Sequence, residues 1–151
     1  MPSDVVISDD RLEMKRFFPY PRDLVFRAWA DPDMLAQWWG CRETERVTAE
    51  IDPRPGGVFR YQMHMSHGDM TYEGVYDEFI EPERIVTRTE MGAGTEYAFT
   101  STVTVDFKAV EGGTEVTLTQ VGLPPMPDCG NIIAGGFTDA FDKLEGLMTT
   151  V

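Results

Sequence analysis

The stretch that most constrains this chain is its last one, Asn131 to Val151, the only long helical pattern in a sequence otherwise built of strands. Ile133, Phe137, Ala140, Phe141, Leu144, Leu147, Met148 and Val151 recur at three-and-four spacing, while Thr138, Asp139, Asp142, Lys143 and Glu145 occupy the other side. A helix with one apolar face needs a partner surface, and the strands upstream supply it. Some twenty helical residues span about 30 Å, roughly the width of a sheet of six or seven strands at about 4.8 Å each. The helix can cross such a sheet, but at about 10 Å in diameter it cannot cover it. That mismatch predicts a space between helix and sheet.

The period changes along the chain in an order that names a fold class. Residues 1–10 are polar and acidic and read as a loose end, followed by a half-buried strand over Arg11 to Phe18. Pro21 can open a short helix carrying Leu24, Val25, Ala28 and Trp29, and Asp31-Pro32 ends it and caps a second one that stops at Gly40. From Glu45 onward six strands alternate with turns: Glu45 to Asp52, Val58 to Met65, Met70 to Ile80, Arg84 to Met91, Thr100 to Val110 and Thr114 to Gly122. The prolines of Leu123 to Gly130 make a linker into the last helix. Strand, two short helices, six strands and a helix imply an α+β domain, residues 1–151, with one antiparallel sheet of six to seven strands and its helices on one face.

Charge and cysteine usage narrow the function classes. A formal net charge of -13, with 13 basic residues scattered among 26 acidic ones, argues against nucleic acid and anionic membrane surfaces as partners. No run has the length of a membrane span and the first residues lack a signal-peptide pattern, so a cytoplasmic location without membrane insertion is expected. Cys41 and Cys129 show no metal or redox spacing, and two free thiols are expected.

Several motifs stand in the order of a known family. FFPYPRDLVFRAWADPDMLAQWWG at Phe17 to Gly40, Pro55-Gly56-Gly57-Val58-Phe59, Gly74 with Glu81-Pro82-Glu83-Arg84-Ile85, Gly113-Thr114-Glu115-Val116, and Gly136-Phe137 run across nearly the whole chain. The sequence thus resembles the START-like (SRPBCC) superfamily, and within it the branch named for the activator of heat-shock-protein ATPase (AHSA). The resemblance implies a helix-grip fold, a curved sheet wrapped around the long C-terminal helix, with a groove or cavity that in various relatives holds lipids, hormones, polyketides or aromatic compounds. Where the family usually carries Trp after the helix glycine, this chain has Phe137, a smaller ring.

The expected ligand cavity is lined by Trp38, Trp39, Phe59, Tyr61, Met63, Tyr72, Tyr76, Phe99, Gly136, Phe137 and Phe141, aromatic walls with a few hydroxyls, on the order of a few hundred Å³ in size. Gly135-Gly136 inside the helix costs about 1 kcal/mol per residue relative to Ala, which suggests either a close approach to the sheet or room for a ligand. His64 and His67, near Asp69 and Glu73, point to opposite faces of a strand and read as a hairpin tip rather than a metal site. Glu73, Asp77 and Glu78 read as solvated carboxylates, and Arg16, Arg60 and Arg88 as cross-strand partners of acids. Ser66, Ser101, Cys41 and Cys129 lack the surroundings of a nucleophile.

These readings favour non-catalytic binding of a small apolar or amphipathic molecule, with no cofactor, no metal and no catalytic residue assigned. The alternatives are an enzyme using the same cavity, or a chaperone-associated partner protein. In the eukaryotic activator this kind of domain is joined to a separate amino-terminal domain, for which this chain has no room. A homodimer through a sheet edge or helix face is compatible with the sequence.

Overall fold

A computed structural model describes residues 3–96, 98–125 and 128–150. Eight strands and three helices follow in the order β1 (Asp4–Ser8), β2 (Arg11–Phe18), α1 (Arg22–Ala30), α2 (Pro32–Trp38), β3 (Arg46–Ile51), β4 (Val58–Met65), β5 (Gly68–Ile80), β6 (Arg84–Met91), β7 (Phe99–Val110), β8 (Gly113–Val121) and α3 (Cys129–Met148). All strands belong to one curved, unclosed antiparallel sheet in the order β1-β2-β8-β7-β6-β5-β4-β3. The α+β helix-grip architecture expected from the sequence is the one observed.

The strand count is one higher than expected, because Asp4 to Ser8 are not loose. They pair in register with β2, from Asp4 opposite Lys15 to Ser8 opposite Arg11. All five residues are exposed, so the strand is held by main-chain pairing and leaves no alternation to read.

Local chemistry fixes the helical insert. The Asp31 carboxylate accepts from the backbone N–H groups of Asp33 at 2.9 Å and Met34 at 3.3 Å, capping α2 with Pro32 in its first turn. Gly40 follows with φ +92°, and a Cβ there would meet Thr44 Oγ1 at 2.6 Å. The backbone of α3 comes closest to α2, β2 and β1, so the helix leans toward one side of the sheet. Leu144 and Met148 are buried and Leu147 packs against the core as expected, whereas Val151 lies outside the described residues.

Registers place one residue from each strand in rows across the inner face. One row runs Phe59, Gly74, Thr89, Ser101 and another runs Val103, Gln120, Leu12. Ring contacts then close a circuit, from Trp39 through Tyr61, Phe59, Tyr76, Phe79, Phe26, Phe107, Trp29 and Trp38 back to Trp39, with centroids 4.5 to 5.4 Å apart. All nine of these pairs are edge-to-face or tilted rather than stacked face to face.

Candidate ligand cavity

Against part of this circuit, the rings of Trp29, Trp39, Tyr61, Phe59 and Tyr76, lies a cavity of about 40 Å³. Its walls are Trp29, Trp39, Phe59, Tyr61, Tyr72, Tyr76 and Phe137, and its floor is Ile85, Thr87, Thr89, Met91, Val103, Val105 and Leu118 from β6, β7 and β8. It is much smaller than the space anticipated from helix and sheet widths, and holds only a few water-sized molecules as it stands. The physical reason is the rings: Trp39 meets Tyr61, Tyr72 and Phe137 at 4.9, 5.7 and 5.9 Å, so aromatic side chains fill the gap that the helix leaves.

Six of the expected residues line the cavity: Trp39, Phe59, Tyr61, Tyr72, Tyr76 and Phe137. Trp38, Met63, Phe99, Gly136 and Phe141 do not. Trp38 turns toward α1, where its indole Nε1 donates to the Ala28 carbonyl at 3.0 Å. Phe141, one helical turn beyond Phe137, packs on Phe18 and Trp29 at 6.0 Å. Met63 is buried and Phe99 half-buried on the same inner face, away from the cavity. A Cβ built on Gly136 meets only the Cβ of Cys41, at 4.0 Å, and one on Gly135 meets nothing. Neither glycine makes the close approach to the sheet that was one expected compensation for its cost in a helix.

Polar groups concentrate on one side of the cavity. The hydroxyls of Thr87 and Thr89 bond each other at 2.8 Å, and Thr87 Oγ1 also reaches the Val103 carbonyl at 3.4 Å. Behind Met91, the fully buried Gln120 donates through Nε2 to Met91 Sδ and Ser101 Oγ, both at 2.9 Å, and its Oε1 has no partner among the described residues. Burial raises the phenols of Tyr61, Tyr72 and Tyr76, that of Tyr76 to about 12. No Asp, Glu, Lys, Arg or His is among the lining residues.

The chain can be placed by comparison with known proteins. The sequence pattern of the family described as activator of Hsp90 ATPase homolog 1-like protein matches residues 19–149. The chain belongs to this family. No functionally curated protein matches it. Solved structures with the same fold include a Rhodobacter sphaeroides protein at 20% identity and TM-score 0.83, covering 99% of this chain and 100% of that one. A Mycobacterium smegmatis protein has 21% identity, TM-score 0.79 and 99% of each chain covered. A Rhizobium leguminosarum protein has 29% identity, TM-score 0.79, and 99% of this chain and 98% of that one covered.

As a member of the Hsp90 ATPase activator homologue family, the chain draws cavity-lining residues from four of the motifs that carried the resemblance, Trp29 and Trp39, Phe59, Ile85, and Phe137, whereas Gly113-Thr114-Glu115-Val116 lies away from the cavity. The glycine turn before β4 aims Phe59 inward and bonds Tyr76 on both sides, Gly56 N donating to the Tyr76 carbonyl at 2.8 Å and Tyr76 N to the Gly57 carbonyl at 2.9 Å. The Trp pair closes α2, and Phe137 stands on the third turn of α3.

The other candidate groups sit outside the cavity. His64 lies between Asp69, Nδ1 to Oδ1 3.0 Å, and Thr48 Oγ1, 3.2 Å from Nε2, while His67 is exposed. Among the described residues no three His, Cys, Asp or Glu side chains cluster as a metal site. Arg60 pairs with Glu73 at 3.6 Å and Arg88 with Asp77 at 3.0 Å, the cross-strand use expected of them. Arg16 departs from that expectation. Its side chain is 2% exposed and reaches Asp142 at 2.7 Å and Glu145 at 3.5 Å on α3, because its strand position shares the inner face with Leu12, Met14 and Phe18. Cys41 and Cys129 are free thiols, and among the described residues no helix is long and apolar enough to cross a membrane.

Proposed function

We propose that this protein binds a small apolar or amphipathic molecule, without transforming it, between the inner face of the sheet and the Trp39 and Phe137 rings. The observation that carries this reading is the lining itself: a ring of aromatic walls over an apolar floor, with a few hydroxyls and no side chain that gains or loses a proton near neutral pH. General acid or base chemistry needs such a group within hydrogen-bond reach of the substrate, and tyrosines with raised pKa values hold their protons too firmly to act as bases. Met91 and the edges of Trp39 and Phe137 are the groups a ligand displaces on entry. Met suits that role, since its unbranched chain repacks at little cost.

The test is native mass spectrometry of protein purified gently from its own source. A co-purifying small neutral mass, lost after Trp39→Ala or after mild unfolding, is the expected result. Purification with no bound molecule, combined with failure of aromatic probes to bind, rejects the reading. The family's description raises chaperone association as the second reading, and recovery of a chaperone together with an empty cavity would favour it.

A further inference from the structure

Tyr76 is 1% exposed, lines the cavity, and its hydroxyl has no hydrogen-bond partner among the described residues. Unpaired buried hydroxyls are rare enough in folded proteins that each one calls for a physical explanation. This one is not loosely placed. Both backbone groups of Tyr76 are tied to the Gly56-Gly57 turn, its ring stands between Phe59 at 5.2 Å and Phe79 at 5.3 Å, and a register shift follows at Glu78.

By geometry its neighbours leave the hydroxyl unpaired. Burial raises both phenols most, and the two hydroxyls also act on each other, Tyr76 raising Tyr61 further and Tyr61 drawing Tyr76 down, but the pair lacks the geometry of a hydrogen bond and no other group among the described residues supplies one to Tyr76. Thr87, its partner across the β5–β6 ladder, is engaged with Thr89 and Val103. With its phenol raised to about 12, chiefly by burial, Tyr76 keeps its proton throughout the physiological range and can donate it to a molecule in the cavity.

We infer that the cavity is specific for an uncharged molecule that carries an oxygen acceptor on an apolar body, the Tyr76 hydroxyl donating to that oxygen. This rests on the binding reading above and deepens it. A carboxylate is disfavoured because the lining offers no cation to replace lost hydration, and an ammonium because it offers no anion. A neutral carbonyl leaves no charge behind on entering the cavity, and the Tyr76 hydroxyl, unpaired among the described residues, replaces the hydrogen bond it gives up to water.

The test uses two probes of nearly the same shape, acetophenone and ethylbenzene, titrated into the wild-type protein and into Tyr76→Phe. The variant keeps the ring, and a thermal melt verifies its fold. Acetophenone affinity is expected to fall about tenfold in Tyr76→Phe, the worth of one neutral hydrogen bond, while ethylbenzene affinity changes less than about twofold. In the wild-type complex alone, the carbonyl carbon resonance of acetophenone is expected to move in the direction of hydrogen bonding. If both probes bind and the substitution changes them equally, or the carbonyl resonance stays as in an apolar solvent, this inference is overturned and the binding reading stands. If neither probe binds, both are overturned. Benzoate binding as tightly as acetophenone also overturns the specificity for uncharged ligands.

Discussion

Lys143 Nζ on the C-terminal helix donates a 2.8 Å hydrogen bond to the main-chain carbonyl of Trp39, the residue whose ring walls the cavity. A second contact lies beside it, from the backbone N–H of Arg42 to Asp139 Oδ2 at 3.1 Å. Helix and cavity wall are thereby coupled through polar atoms as well as through the Trp39 and Phe137 rings. Desolvation lowers the pKa of Lys143, although Cys41 and Asp139 nearby act in the opposite direction. Replacing Lys143 with Met keeps the stem and removes the donor. Stability in urea is expected to drop by about 1 kcal/mol, and tryptophan fluorescence to become more accessible to a soluble quencher. Unchanged quenching would show that the rings alone hold Trp39.

The three cavity tyrosines give the protein an alkaline limit. Phenols ordinarily titrate at 10.0, and burial raises those of Tyr61, Tyr72 and Tyr76, the last to about 12. Above the ordinary value the unfolded chain gives up protons that the folded chain retains, so the unfolded state is favoured as pH rises. Their contribution is complete below about pH 10; that of Tyr76 is lost between about pH 10 and 12, while Tyr61 and Tyr72, raised further, go on losing theirs above that window. Urea midpoints measured across that window are expected to fall, with tyrosinate absorbance appearing together with unfolding. Tyr76→Phe makes the decline shallower. At neutral pH it is expected to raise stability by about 1 kcal/mol, because it removes a buried hydroxyl with no partner. Loss of stability in that variant would mean that the hydroxyl is satisfied in solution.

The helix glycines divide by surroundings. At Gly135 an added methyl meets nothing within 4 Å, so Gly135→Ala should stabilise the protein by up to about 1 kcal/mol through helix propensity. At Gly130 the same methyl meets Ile7 Cγ2 at 2.7 Å, and a clash with the edge strand offsets the gain. Thermal melts of the two single variants are expected to move apart, Gly135→Ala upward and Gly130→Ala downward or not at all.

Arg16 is a buried cation facing two partly exposed acids on α3. Removing both acids, as Asp142→Asn with Glu145→Gln, leaves the guanidinium without its counter-charges. It should cost about 2 kcal/mol, below the range for fully buried pairs because solvent screens the acids. Arg16→Met is expected to be nearly neutral, since an apolar side chain of similar reach replaces the pair without leaving a charge behind. Urea denaturation of the two variants checks the ordering.

These sites show what the sequence could and could not convey. The alternation of Phe59, Tyr61 and Met63 gave the inner face of β4 directly, and the Asp31-Pro32 pair gave the helix boundary. Strand β1 was illegible because Val5, Val6 and Ile7 are exposed in succession and leave no periodic signal. Six of the fourteen lining residues were legible as aromatic positions, while Trp29 read only as part of the apolar stripe of α1. The cavity floor was not legible, because Thr87, Thr89, Val103 and Leu118 look like ordinary strand residues until the registers of β6, β7 and β8 bring them together. Adjacent Trp38 and Trp39 could not be told apart either, since their opposite directions are set by where α2 ends. The burial of Arg16 did leave a signal, its alternation with Leu12 and Met14, but its partners on α3 are set by tertiary packing.

The central claim is that an apolar molecule enters between the Trp39 and Phe137 rings and the sheet. A heteronuclear NMR titration with ethylbenzene, followed at the methyl groups of Met91, Ile85, Val105 and Leu118, tests it most directly. Saturable shifts at these floor residues, with the exposed Val6 and Ile132 unmoved, are the predicted result. Absence of saturable shifts, or shifts confined to Val6 and Ile132 on the surface, would contradict it.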